Sequence, residues 1–195
     1  MPKIFTMKKH NRLPFRNILN KQSVKIWNDF YALLNNAGLS KKAALEGMSR
    51  GGVYVFNWAA ENPDKVSCAY VDNPVLDLRS WPGGINNEYK SPGECEDLKR
   101  DFGLKTVDDI KAFKGSPISK VDKIVKGKYP ILILCADADE ALSPKDNTIL
   151  FEQKVKALKG KITVIHKPGF KHHPHSLPNP APIVDFILKA TGNGL

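Results

Sequence analysis

The stretch EGMSRGGVYVF, Glu46 to Phe56, carries the pattern Gly47-x-Ser49-x-Gly51. That spacing suits a strand that turns sharply into a helix while one hydroxyl is held in the open, because glycines let two pieces of backbone approach closely at the bend. On one side lies a short, weak strand candidate, Ala43 to Leu45, and on the other a helical stretch, Val53 to Asn62, which Pro63 ends. Ser49 is therefore a candidate nucleophile, and the rest of the chain must supply its partners.

Working outward, the same alternation recurs. Before the turn, SVKIWNDFYALLNNAG places Ile26, Phe30, Leu33, Leu34 and Ala37 at helical spacing, with Ser23 as the expected N-cap and Gly38 closing the helix. After it, VSCAYVDNPVLDL opens with an apolar run of the kind that a strand buried on both faces of a parallel sheet requires. YPILILCADADEALSP is a further strand running into an acidic loop, followed by a helix from about Lys145 to Leu158. KITVIHKPG is the next strand, and APIVDFILKATG a final amphipathic helix. Strands alternating with helices predict an α/β fold, layered α/β/α around a mainly parallel sheet. Between about residues 79 and 128, Pro and Gly in SWPGG and KSPGE and short polar helical pieces predict an excursion from the sheet, able to cover a site.

The 195 residues fit one domain, read here as residues 23–195 behind a basic leader, 1–22, that is solvated or disordered. The leader contributes to a net charge of +10, which would favour an anionic partner, but no nucleic-acid motif accompanies it and nucleic acid is not the expected partner. No apolar run reaches the roughly 18 residues that span a bilayer, and the leader lacks the apolar core of a secretory signal. A complete chain of this kind is expected in the cytoplasm. Cys68, Cys95 and Cys135 are odd in number and lack C-x-x-C spacing, so neither a disulfide framework nor a cysteine zinc site is encoded. Trp27, Trp58 and Trp81 read as packing residues, and Asp77 either lines a site or caps a turn.

Reactive groups in such sheets collect at the carboxyl ends of strands. Ser49 follows the first strand, Asp137 and Asp139 follow ILILC, and His172, His173 and His175 follow ITVI. These are the three chemical types that serine nucleophilic catalysis needs: a hydroxyl, an imidazole that takes its proton, and a carboxylate that fixes the imidazole's tautomer. Four histidines, His166, His172, His173 and His175, also invite a metal, but no carboxylate or cysteine at ligand spacing joins them and no metal is expected.

GMSRGG, ADADEALSP and PGFKHHPHSLPNPAPIVDFI, in that order, resemble the nucleophile elbow, acid loop and histidine loop of the α/β-hydrolases, and the resemblance runs from about Ser23 to Thr191. It implies a serine hydrolase acting on a small-molecule carboxylic ester, for instance an acylated carbohydrate, with no cofactor. Carried over, Ser49 is the nucleophile, the backbone N–H of Arg50 an oxyanion donor, Asp139 the acid with Asp137 as its rival, and His172 the base with His173 and His175 as rivals. The Arg50 side chain either meets an acidic substrate or pairs with a nearby acid such as Glu46. The resemblance also implies a partial fold: only 46 residues precede Gly47, and neither the early strands nor the loop giving a second oxyanion donor is visible among them. An elbow strand with one open edge would invite homo-oligomers, and the alternative function is an incompetent hydrolase scaffold acting in binding or oligomerisation.

Overall fold

The computed structural model of the chain describes residues 21–86 and 91–192. The basic leader therefore lies, apart from Lys21 and Gln22, outside the described residues. In chain order the helices are α1 (Lys21–Asn36), α2 (Gly51–Glu61), α3 (Pro92–Phe102), α4 (Val107–Ala112), α5 (Val121–Val125), α6 (Leu150–Ala157) and α7 (Ala181–Ala190). The strands are β1 (Ala43–Met48), β2 (Val66–Asp72), β3 (Ile131–Ala136) and β4 (Ile162–Lys167). They form one sheet in the order β1-β2-β3-β4, parallel throughout.

Spatial order equal to chain order has a consequence for the layers. A chain that adds parallel strands in one direction through crossovers of one hand lays its crossover helices on one face of the sheet. Side chains alternate accordingly along each strand. Ala69 and Val71 of β2 and Ile131 and Ile133 of β3 pack with Phe56 of α2, Ile124 of α5 and Phe151 of α6 in the larger core cluster. Tyr70, Leu132 and Leu134 face the other way and are covered by Ile183, Phe186 and Ile187 of α7. This is the expected α/β/α layering, and β2 and β3 are almost wholly buried in it.

Three local readings change. Ser23 does not cap the first helix: α1 starts at Lys21 and Ser23 is buried within it, since Lys and Gln are good helix formers and prolong the turn ahead of it. The Ala-rich β1 is longer than its propensity suggests, running to Met48, because its ladder with β2 decides the conformation. The excursion expected over about 79–128 divides in two. Its first part, with α3 and α4, builds a second cluster in which Leu98, Phe102 and Phe113 meet Val53 of α2 and Leu142. Its last part, from Ile118 through α5, belongs to the main core.

Trp58 is buried and donates from its indole N–H to Asn28, and Trp81 packs in the second cluster. Burial pushes the thiols of Cys68 and Cys135 up to about 11, which leaves them inert near neutral pH. No helix among the described residues is long and apolar enough to cross a membrane.

Candidate active site

The site is built from four strand ends. β1 ends at Met48 and α2 begins at Gly51, so the chain reverses in two residues, and Ser49 takes a left-handed conformation at φ +52°. For a non-glycine residue this is costly backbone, retained where surrounding structure overdetermines it. Here the Ser49 N–H donates to the Asp72 carbonyl, and the Ser49 carbonyl accepts from Gly52 and Val75.

Two glycines make the bend sterically feasible, and only one of them, Gly47, belongs to the sequence pattern; the other is Gly52. A Cβ on Gly47 would stand 2.7 Å from the Gly51 backbone and one on Gly52 2.5 Å from Pro74, whereas a Cβ on Gly51 would meet nothing within 4 Å. Gly51→Ala is accordingly expected to fold with stability within about 1 kcal/mol of the parent. Gly47→Ala should lose roughly 1–3 kcal/mol or more through overpacking. Chemical denaturation of the two variants checks this contrast, and equal losses would refute it.

The Ser49 hydroxyl lies 3.0 Å from Nε2 of His172, and Nδ1 of that ring lies 2.7 Å from Oδ2 of Asp139. Asp139 is in turn fixed by its other oxygen, which accepts the backbone N–H groups of Ala141 and Leu142, each at 2.8 Å. His172 and Asp139 are 7% and 8% exposed, so this chain of hydrogen bonds runs largely out of water. Arg50 directly precedes α2, which puts its N–H at the positive end of that helix.

The other residues singled out in the sequence go elsewhere. Asp137 is exposed and lies 2.7 Å from Nδ1 of His166, in a pair separate from the serine. His173 and His175 flank His172 with ring centroids 4.9 and 5.2 Å from it, and Nδ1 of His175 stands 3.6 Å from Asp72. The Arg50 side chain pairs with Glu94 at the start of α3, not with Glu46, whose carboxyl burial pushes upward. Glu46 stands opposite Tyr70 in the β1–β2 register. Asp77 caps its own turn, accepting the Arg79 N–H at 3.0 Å and pairing with its guanidinium.

Two residues that the sequence reading passed over hold the site together. Asn73, buried and left-handed at φ +43°, accepts the Ala136 N–H at 2.8 Å and donates to the His172 carbonyl at 2.9 Å. It thus fixes the histidine loop to the end of β3. Asp72, fully buried, pairs with Lys167 at 2.9 Å across the end of β3 and accepts a hydrogen bond from the Ser176 N–H. Burial pushes its carboxyl up, but His175, the Ser176 N–H and Lys167 together outweigh that and hold it below the usual range. The signal in the sequence was Asp72-Asn73-Pro74: two polar residues at the carboxyl end of a strand otherwise buried on both faces.

Several solved structures share this arrangement of strands and helices. A puromycin-hydrolysing peptidase of Mycobacterium tuberculosis superposes with a TM-score of 0.60 at 20% identity, over 77% of this chain and 22% of that one. An acylaminoacyl peptidase of Pyrococcus horikoshii gives 0.59 at 19% identity, over 81% and 24% respectively. For a monoacylglycerol lipase of Paleococcus ferrophilus the values are 0.57 and 18%, over 87% and 75%. The chain has part of the α/β-hydrolase fold. It spans 22% and 24% of the length of the two peptidases. Neither a protein-family model nor a curated protein matches the sequence. Among the described residues this α/β-hydrolase sheet has four strands, with β1, the elbow strand, at one edge.

Proposed function

We propose that the protein is a serine hydrolase that cleaves a small carboxylic ester through an acyl-enzyme on Ser49. The observation that carries this reading is the continuous hydrogen-bond chain from the Ser49 hydroxyl through His172 to Asp139, with the serine strained outward at a strand-to-helix turn. The structural neighbours support a hydrolase in general, being peptidases and a lipase by name. The choice of an ester over an amide is ours.

In the proposed cycle, His172 Nε2 takes the Ser49 proton as the oxygen attacks the carbonyl, and Asp139 stabilises the imidazolium that forms. The developing oxyanion lies against the α2 N-terminus, where the Arg50 N–H donates. The protonated His172 then gives its proton to the leaving alcohol, and water activated by the same ring releases the acid. None of these steps uses a cofactor.

Fluorophosphonates react with activated serines, so the test is labelling of the folded protein followed by peptide mapping. The expected result is one phosphonate on the peptide that contains Ser49. Folded protein that takes up no label would sink the reading and favour the alternative, a scaffold that acts by binding.

A further inference from the structure

Four histidines invited a metal that their spacing did not support, but the fold gathers three of them into one group. His172, His173 and His175 each bring one ligating nitrogen within 4.8 Å of the other two. Their rings meet edge to face, with centroids 4.8 to 5.2 Å apart. We propose that these three imidazoles form a zinc site that reversibly silences Ser49 by taking the Nε2 lone pair of His172. This inference rests on the serine-hydrolase reading for its regulatory half; the metal site itself does not depend on it.

Three observations converge on this site. The first is the outer shell. Metal-bound imidazoles characteristically have their second nitrogen against a carboxylate, which orients the ring and raises its basicity. His172 meets that description, with Nδ1 2.7 Å from buried Asp139, and His175 approaches it, with Nδ1 3.6 Å from buried Asp72. In both rings Nε2 is then the atom left to face a metal. Nδ1 of His175 is itself buried without a hydrogen bond, as expected of a ring whose second nitrogen waits on a carboxylate to close in. The two carboxylates also supply negative charge beside the site, although Lys167 already neutralises part of Asp72.

The second observation is anchoring. The loop is tied on one side by Asn73 to the His172 carbonyl and on the other by the Ser176 N–H to Asp72, and Pro174 stiffens the chain between. Two of the three ligands are thus positioned by contacts independent of any metal. His173, the third, is exposed, with its ring edge to face with both of the others.

The third is distance. In a tetrahedral zinc site with bonds of about 2.0–2.1 Å, ligand nitrogens lie roughly 3.3 Å apart. The closure needed from 4.8 Å is within the reach of an exposed side chain rotating about χ1. Zinc tolerates the geometry on offer because its filled d shell imposes none, and three imidazoles leave a fourth position for water. With Nε2 coordinated, the hydroxyl has no base to receive its proton and remains a poor nucleophile.

The test uses two independent readouts on the full chain. Equilibrium dialysis against zinc is expected to give one tight site per chain, weakened by at least roughly tenfold in His173→Gln and in His175→Gln. His166→Gln should leave it unchanged, since His166 belongs to the separate cluster with Cys135 and Asp137. Fluorophosphonate labelling of the parent protein should fall on adding zinc and recover on adding EDTA, and this zinc sensitivity should vanish in His173→Gln. Absence of a one-to-one site, or loss of zinc binding in His166→Gln in place of His173→Gln, would overturn the site. Zinc that binds through His173 and leaves labelling unaffected would overturn the silencing. A protein that takes no label even with EDTA would refute the hydrolase reading instead, and dialysis alone would then decide for or against the metal.

Discussion

Substitution along the line Ser49, His172, Asp139 is expected to give a graded loss of hydrolysis, while the same change at Asp137 gives none. Ser49→Ala and His172→Ala each remove an atom through which the proposed proton transfer must pass, and each should lower kcat on the order of 10⁶-fold. Removing both should cost little more than removing one, because the residues act as a unit. Asp139→Asn is the more informative change, with an expected loss on the order of 10⁴-fold. Its geometry can survive: Asn retains the oxygen that accepts the Ala141 and Leu142 N–H groups. What changes is the partner of His172 Nδ1, where an amide N–H replaces a carboxylate oxygen at 2.7 Å. A donor there selects the imidazole tautomer that carries its proton on Nε2, facing Ser49, and such a ring cannot accept the serine proton. Asp137 is committed to His166, so Asp137→Asn should leave kcat within about twofold. Equal losses at Asp137 and Asp139, measured on any ester the protein turns over, would remove the basis for the assignment.

The largest effect on stability is expected at Lys167. Its ammonium is 2% exposed and meets a carboxylate of 0% exposure, so neither charge has water to fall back on. Lys167→Met fills similar space but leaves the Asp72 carboxylate buried with only the Ser176 N–H and the more distant His175. Removing one partner of such a pair costs about 3–5 kcal/mol, whereas replacing both is often nearly neutral. The single variant should therefore lower Tm by roughly 10 °C in a protein of this size, and the double variant Lys167→Met with Asp72→Asn should recover most of the loss. A single variant within 1 kcal/mol of the parent, an upper bound set by the surface-pair scale, would show that the pair is solvated. The contrast is with Arg50 and Glu94, a part-exposed pair whose removal is expected to cost less than about 1 kcal/mol.

The α/β alternation was legible because burial dictates composition: ILILC and CAYV could be apolar throughout only in strands covered on both faces. The three motifs were legible because each carries its chemistry in a short window, and the fold brings Ser49, Asp139 and His172 into one hydrogen-bonded line. Local pattern misled where tertiary contacts override it. Ser23 was an N-cap by residue type, and Gly51 was a turn glycine by motif, yet the crowded positions are Gly47 and Gly52.

The sequence by itself determined the layer architecture, the order of the strands along the chain and which residue types stand at their ends, since periodicity and composition are properties of single segments. Only the tertiary structure decided which of two aspartates two residues apart in the chain meets His172, which acid holds Arg50, and that Asp72, Asn73 and Lys167 fasten the histidine loop. Those choices depend on distances of about 3 Å between residues some 30 to 120 positions apart. Such distances arise from how strand ends are stacked side by side, and no short window of sequence records them.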